Sequence, residues 1–197
     1  MTKSIDIPNI RIITVSGRIA SGSTTLARSL SEYLSWKRLE GGDIFWEAVR
    51  KRMNLAPKDT KLRPDEEDVL FEKKQKEILE NEKNIVLESK LAGFVAQGIE
   101  GVFKILVVCK DQAGADQTQI RIDRLVNRES LSMNDAKEEV LVREKSDIEK
   151  WQRLYAANDP NWTYWEDKYY DIVINTFFND PEESLHQALE AIKTKNF

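Results

Sequence analysis

The sequence predicts an α/β fold in which a parallel sheet of about five strands has helices on both faces. Four short runs of β-branched residues recur along the chain, and each run is apolar throughout rather than alternating. Continuous apolarity is typical of strands that are buried on both sides in a parallel sheet. Segments with helical spacing separate these runs, so we expect right-handed crossovers and one doubly wound sheet.

The predicted strands are the four apolar runs and one weaker candidate. The strong candidates span 11–16, 84–88, 104–109 and 171–176, and the weaker strand spans 36–40. The predicted helices span 23–35, 44–54, 66–82, 117–129, 134–157 and 182–194. The chain has no internal repeat or linker long enough to divide it, so we expect a single domain over 1–197.

Composition argues against several classes of protein. The 34 acidic and 30 basic side chains give a net charge of -4, whereas a nucleic-acid-binding protein is more often basic. No stretch approaches the roughly 20 apolar residues of a membrane span. The single cysteine, Cys109, ends an apolar run and is predicted to be buried. We therefore expect a cytoplasmic monomer or homodimer that acts on small molecules, with no nucleic-acid polymer or membrane as partner.

A glycine loop, called the phosphate loop below, directly follows the first predicted strand and leads into the first helix. It comprises Gly17, Arg18, Ile19, Ala20, Ser21, Gly22, Ser23, Thr24 and Thr25. Glycines let backbone amides wrap around a phosphate, and the helix that follows adds its positive end. The Thr24 hydroxyl occupies the motif's position for a Mg²⁺ ligand. The sequence therefore predicts a P-loop that binds ATP with Mg²⁺.

The phosphate loop departs from the common motif at one position, because Ser23 stands where that motif has lysine. An ordinary turn between a strand and a helix is the alternative interpretation. The place of the loop after the first strand favours phosphate binding. The missing positive charge must then come from another residue, and Arg18 and a later cluster of arginines are the available donors.

The order of several motifs resembles that of the nucleoside monophosphate kinases, most closely the archaeal-type cytidylate kinases. That branch has a hydroxyl residue in place of the loop lysine, as Ser23 is here. Residues 88–93 resemble the family's E-G-R-L-A-G segment, and residues 170–176 resemble its closing strand Y-D-L-V-I-N-T. The resemblance implies the P-loop NTPase fold with a helical lid. It also implies transfer of the terminal phosphoryl group of ATP to CMP or dCMP.

Three departures from the family pattern fall where the acceptor is expected to bind. Trp46, Lys90 and Lys150 stand where the family has arginine. Arginine binds phosphate through two parallel hydrogen bonds, whereas lysine offers a point charge and tryptophan offers neither. Two alternatives therefore stay open. One is a P-loop kinase with a different small acceptor, and the other is a catalytically degenerate regulator that binds ATP.

Basic side chains on the long helices are candidates for the missing charge. Arg121, Arg124 and Arg128 are spaced i, i+3 and i+7, so they share one helix face. Arg143 and Lys150 begin a second basic stripe on the next helix. Solvated helices with surface ion pairs are the alternative interpretation. Because phosphoryl transfer depends on positioning and charge neutralisation, the phosphate loop favours a lid at about 117–157.

The candidate site residues follow from these patterns and from the resemblance. We assign catalytic roles to Arg18, Arg121, Arg124 and Arg143. We assign acceptor binding to Asp43, Glu88, Lys90 and Lys150. Asp43 has a second interpretation as a helix cap, and Glu88 has others as a Mg²⁺ ligand or as a plain acid at the end of a strand.

Overall fold

The computed structural model describes residues 4–42 and 64–195 of the chain. Its strands are β1 (Ile12–Gly17), β2 (Lys37–Glu40), β3 (Ile85–Glu88), β4 (Val102–Val108) and β5 (Ile172–Asn175). They form one five-stranded sheet in the order β2-β3-β1-β4-β5. Every neighbouring pair is parallel. The predicted α/β fold is confirmed, including the weaker strand, which is β2.

Helices connect these strands and cover the sheet. They are α1 (Ser23–Leu34), α2 (Asp65–Asn81), α3 (Ala92–Val95), α4 (Thr118–Glu129), α5 (Met133–Lys137), α6 (Glu144–Tyr155) and α7 (Pro181–Thr194). A π-helical segment, Glu138–Arg143, joins α5 to α6, so the predicted helix at 134–157 is three consecutive helical segments. A 3₁₀ turn, Asp167–Tyr169, precedes β5. The predicted helix at 44–54 lies outside the described residues.

The core consists of an apolar layer on each face of the sheet. Ile13 and Val15 of β1 pack on one face with α1 and α7, through residues such as Leu30 and Ala188. Ile12 belongs to the layer on the opposite face, which also contains residues of α2 and α3. Both faces of β1 are therefore buried, which is the reason that its sequence carries no charged residue and does not alternate between apolar and exposed polar positions.

The parallel order places the carboxyl ends of the strands at one edge of the sheet, where ligands bind in folds of this type. The phosphate loop follows β1 at this edge, and Glu40 and Glu88 are paired at the ends of β2 and β3. Cys109, which follows β4, is buried as predicted. Within the described ranges, no helix is long and apolar enough to cross a membrane.

Candidate functional site

Two glycines shape the phosphate loop, each for a different reason. A Cβ atom at Gly17 would lie 2.3 Å from Ser21 Oγ and 2.9 Å from the carbonyl oxygen of Val107, so only glycine fits there. Gly22 has a φ of 110° and caps the first turn of α1, a conformation that favours glycine. The loop is therefore closely wound, and the positive end of α1 points into it.

Glu88 lies beside the hydroxyl groups at the start of α1. Its Oε1 atom accepts hydrogen bonds from Ser23 Oγ at 2.9 Å and from Thr24 Oγ1 at 3.0 Å. Burial raises the pKa of Glu88, the two hydroxyl groups oppose that rise, and the nearby charge of Glu40 adds to it. The structure thus joins Glu88 to Thr24, the residue predicted as the metal ligand.

These oxygen atoms fit a Mg²⁺ ion. Mg²⁺ binds oxygen ligands and keeps several water molecules, so it usually takes only one or two carboxylates together with the phosphates of a substrate. Glu88 and Thr24 supply one carboxylate and one hydroxyl at the mouth of the phosphate loop. Among the described residues, no cluster of three or more acidic, histidine or cysteine side chains forms another metal site.

A buried acid, Glu144, holds the outer side of the phosphate loop. It accepts hydrogen bonds from the backbone N–H of Ile19 at 3.1 Å and from Arg18 Nε at 2.9 Å. Arg18 also forms an ion pair with Asp116 at 3.1 Å, and its guanidinium lies 4.5 Å from the centre of the Trp165 ring. Arg18 therefore binds protein groups in this conformation, and its predicted catalytic role stays a prediction.

Arg121 is completely buried behind the same loop. It donates hydrogen bonds to the Ile19 carbonyl oxygen at 2.8 Å, to Glu144 Oε2 at 3.1 Å and to Asp116 Oδ2 at 2.9 Å. Burial lowers the pKa of Arg121, but the two carboxylates outweigh that effect and the net pKa is raised. Arg121 thus supports the loop from behind, and its contact with a phosphate stays a prediction.

Arg124 lies on the other side of the loop and binds both the loop and the end of the sheet. It donates to the Ser21 carbonyl oxygen at 3.2 Å, to Thr176 Oγ1 at 2.9 Å and to the Thr176 carbonyl oxygen at 2.8 Å. Thr176 Oγ1 donates in turn to the Ser21 carbonyl oxygen at 2.6 Å. These contacts fix Arg124 at the boundary between the loop, α4 and the residues that follow β5.

The larger of two cavities beside the loop has a volume of about 490 Å³. Gly22 and Thr25 form its floor, Arg124 and Asn127 line it from α4, and Pro181 lines it from α7. This volume lies within the range of small-molecule sites, which is about 300–1,000 Å³. The larger cavity opens next to the phosphate loop and is the candidate site for the base of a nucleotide.

The smaller cavity, of about 140 Å³, lies at the end of β3, and its lining comes from the residues after β2 and β3, from α2 and from the helical stretch 143–151 rather than from the phosphate loop itself. Lys90, predicted to bind the acceptor, and Arg143, predicted to be catalytic, both line it, and these roles stay predictions. Lys90 Nζ contacts Asp147 Oδ2 at 2.8 Å, and Arg143 Nη1 donates to Glu139 Oε2 at 2.6 Å. Two of the predicted site residues are therefore brought together here.

Lys150 is directed towards α2 instead of the phosphate loop. Its Nζ atom donates to Asp68 Oδ2 at 2.6 Å, and Arg153 donates to Asp65 Oδ2 at 2.7 Å. This part of the second basic stripe therefore faces α2 and not the arginines of α4. Asp43 and Trp46 lie outside the described residues.

Several residues that shape the site were not among the predicted ones. Glu144 and Asp116 bind the loop arginines, and Thr176 binds Arg124. Tyr164, whose pKa is raised well above its ordinary value by burial, donates its hydroxyl to the Gly17 carbonyl oxygen at 3.2 Å. Glu144 follows Arg143 directly in the sequence, but charge alone does not distinguish a buried acid from a solvated one.

Curated relatives of this chain were found among archaeal enzymes. It is 29% identical to the cytidylate kinase of Archaeoglobus fulgidus over 185 residues, which is 93% of this chain and 95% of that protein. It is 32% identical to the cytidylate kinase of Natronomonas pharaonis, over 87% of this chain and 83% of that protein. It is also 32% identical to the cytidylate kinase of Methanosarcina barkeri, over 83% of this chain and 86% of that protein. No family model matches the sequence.

Solved structures share the fold at low sequence identity. An uncharacterized protein from Eubacterium ventriosum has a TM-score of 0.64 and 14% identity, over 93% of this chain and 99% of that chain. Shikimate kinase from Acinetobacter baumannii has a TM-score of 0.55 and 15% identity, over 95% of this chain and 96% of that chain. A gluconokinase from Sinorhizobium meliloti has a TM-score of 0.55 and 14% identity, over 96% of this chain and 94% of that chain. These similarities confirm the predicted P-loop NTPase fold.

Replacement of Arg121 tests its support of the loop. Arg121→Gln removes buried hydrogen bonds to Glu144 and Asp116, while Arg18 still pairs with both acids, so we expect the free energy of unfolding to fall by about 1–3 kcal/mol. Arg128→Gln is the matched control, because Arg128 is exposed, and we expect a change within about 0.5 kcal/mol. Urea denaturation measures both values. Equal stability of the two variants would contradict the supporting role of Arg121.

The raised pKa of Glu88 predicts a pH-dependent stability. Between the ordinary pKa of a glutamate, about 4.3, and the raised value, the folded protein binds more protons at Glu88 than the unfolded chain does. Stability supplied by this group is therefore lost as pH rises through that window. In Glu88→Gln this contribution is absent, while the Gln oxygen still accepts from Ser23 and Thr24. Urea denaturation at several pH values should show that the free energy of unfolding falls less with rising pH in the variant than in the wild type. The same pH dependence in both proteins would contradict the assignment.

Proposed function

This chain belongs to the cytidylate kinase family of nucleoside monophosphate kinases, and on that premise we propose that it transfers the terminal phosphoryl group of ATP to CMP or dCMP. The observation that supports this most strongly is the phosphate loop at the carboxyl edge of the sheet, with one cavity beside the loop and a second at the end of β3. A phosphoryl transferase needs this arrangement, because donor and acceptor must meet in line at the transferring group.

The donor nucleotide occupies the loop and the larger cavity in this proposal. The triphosphate lies against the backbone amides of residues 17–24, and the dipole of α1 stabilises its charge. The base enters the larger cavity, where Arg124 offers a planar cation beside it. The fixed position of Arg124, bonded to Ser21 and Thr176, reduces the entropy that binding would otherwise cost.

Thr24 and Glu88 would hold Mg²⁺. When bound, Mg²⁺ neutralises charge on the phosphates of the donor. The loop lacks a lysine, so guanidinium groups supply the remaining positive charge in this proposal. Arg18 and Arg121 lie directly behind the loop at Ile19, and we propose that helices α4 to α6 act as a lid that brings arginines to the phosphates and excludes water.

The acceptor binds in the smaller cavity, at the end of β3. Its volume of about 140 Å³ suits one pyrimidine ring or one phosphate group rather than a whole nucleotide. Lys90 and Arg143 supply positive charge to this cavity, and Asp147, which pairs with Lys90, supplies an acceptor of hydrogen bonds. A cytoplasmic enzyme that is a monomer or a homodimer fits this proposal.

The charge of the smaller cavity supports a second candidate function. Among the described residues, the two cations that line it are already paired with carboxylates, Lys90 with Asp147 and Arg143 with Glu139. A nucleoside monophosphate is itself doubly anionic near neutral pH, so this balance is less favourable for it than for an uncharged alcohol. The second candidate is therefore a P-loop kinase that phosphorylates a different small acceptor with several hydroxyl groups.

A panel of acceptors tests both candidates. We expect ADP release from ATP and Mg²⁺ to be fastest with CMP or dCMP, measured by a coupled assay that also includes UMP, AMP and polyhydroxy alcohols. Turnover with an alcohol only would support the second candidate. ATP binding by calorimetry without turnover on any acceptor would contradict both and would leave a regulator. A Thr24→Ala variant is the control for activity that comes from a contaminating kinase.

A further inference from the structure

The indole of Trp151 lines the smaller cavity and is only 5% exposed. Its Nε1 atom is buried and has no hydrogen-bond acceptor among the described residues. An indole N–H can only donate. A buried donor that stays without an acceptor loses its hydrogen bond to water and gains none in return. The fold therefore carries a cost at this position that a bound group with a lone pair would remove.

A second residue that lines the same cavity also has a buried donor without an acceptor. Arg143 Nε is buried and has no acceptor in the part of the chain that the structure describes, although its Nη1 atom binds Glu139. Arg143 and Trp151 both line the smaller cavity. Because a guanidinium also only donates, both groups require acceptor atoms. A ligand that presents oxygen atoms satisfies them.

The fold satisfies comparable indoles elsewhere. Trp162 belongs to the same aromatic cluster as Trp151, and its Nε1 donates to the hydroxyl of Tyr169 at 3.1 Å. Trp36 is also buried, and its Nε1 donates to the carbonyl oxygen of Ile5 at 2.8 Å. Trp162 does not line the smaller cavity. The buried indole at the cavity thus differs from these two in lacking a partner.

The ring of Trp151 is held in place by its neighbours. It packs edge-on against Tyr164, with ring centres 5.5 Å apart and an angle of 81° between the planes. Tyr164 is buried and donates to the Gly17 carbonyl oxygen at the phosphate loop. Lys90 Nζ lies 5.7 Å from the centre of the Trp151 ring. The indole is therefore preorganised beside a cation that attracts oxygen-rich ligands.

We propose that Trp151 binds the phosphoryl acceptor and donates its indole N–H to an oxygen atom of that molecule. This inference rests on the proposed function, because it takes the smaller cavity as the acceptor site. The group that accepts this hydrogen bond is an oxygen atom with a free lone pair. In a pyrimidine nucleotide such an oxygen belongs either to the carbonyl of the base or to the phosphate.

The test compares Trp151→Phe with Trp162→Phe. Both variants lose one indole from the same aromatic cluster, but only Trp151→Phe removes an unsatisfied donor from a residue that lines the cavity. We expect Trp151→Phe to raise KM for CMP about 2- to 13-fold, the range for one lost hydrogen bond, with KM for ATP unchanged. We expect Trp162→Phe to leave both constants unchanged. An unchanged KM for CMP in Trp151→Phe, or an equal rise in both variants, would overturn the proposal.

Fragments of the acceptor identify the oxygen. Calorimetry with cytidine and with ribose 5-phosphate, on the wild type and Trp151→Phe, assigns the bond to the base if only cytidine binds more weakly. It assigns the bond to the phosphate if only ribose 5-phosphate does. Equal binding of both fragments by the two proteins would overturn the proposal. If the wild type phosphorylates a different acceptor from the panel, the proposed function fails, and that acceptor replaces CMP in the comparison of KM values.

Nuclear magnetic resonance of the wild-type protein gives a readout that does not require a folded variant at position 151. The chain has five tryptophans, and single Trp→Phe variants at the other four positions assign the Trp151 indole signal by elimination. We expect saturating CMP to move the Trp151 indole proton downfield, as a new hydrogen bond does, and to leave the Trp162 signal in place. A Trp151 signal that does not move when CMP is bound would overturn the proposal.

Discussion

The contact on which the site depends is the buried carboxylate of Glu144. It accepts from the backbone of Ile19 and from Arg18 and Arg121, and so it ties the phosphate loop to the helices that follow β4. A buried carboxylate without cations would cost several kcal/mol, whereas paired cations and a backbone N–H offset that cost. The same contact keeps two guanidinium groups beside a loop that lacks a lysine. Support of the loop and the proposed supply of charge to the phosphates are thus linked through one side chain.

The two cavities beside the loop share this framework, but their chemistry differs. Thr176 and Arg124 join the larger cavity to the loop at Ser21. Tyr164 joins the aromatic cluster, and through it the smaller cavity, to the loop at Gly17. Because packed aromatic rings and buried hydrogen bonds transmit displacement rather than absorb it, a ligand in either cavity acts on the same short stretch of backbone. This geometry suits an enzyme that must align two substrates.

The sequence predicted the sheet and the loop because their signals are local. β1 and β4 are rich in Val and Ile and are buried on both faces, and the glycines of the loop have spacing that few other structures require. The short α3 and the π-helical segment were missed, since four to six residues carry little periodicity. Helical spacing placed Arg121 and Arg124 on one face of α4, but it could not show what that face contacts. The burial of Arg121 depends on Glu144 and on the Ile19 carbonyl oxygen, which are 23 and 102 residues away along the chain, and only tertiary structure brings these together.

The central claim is that the phosphate loop binds the triphosphate of ATP without a lysine. A crystal structure with a non-hydrolysable ATP analogue and Mg²⁺ tests it most directly. The account predicts phosphate oxygens on the backbone amides between Gly17 and Thr24, the metal at Thr24 and Glu88, and the base in the cavity beside Arg124. A triphosphate bound anywhere else on the protein would contradict the account.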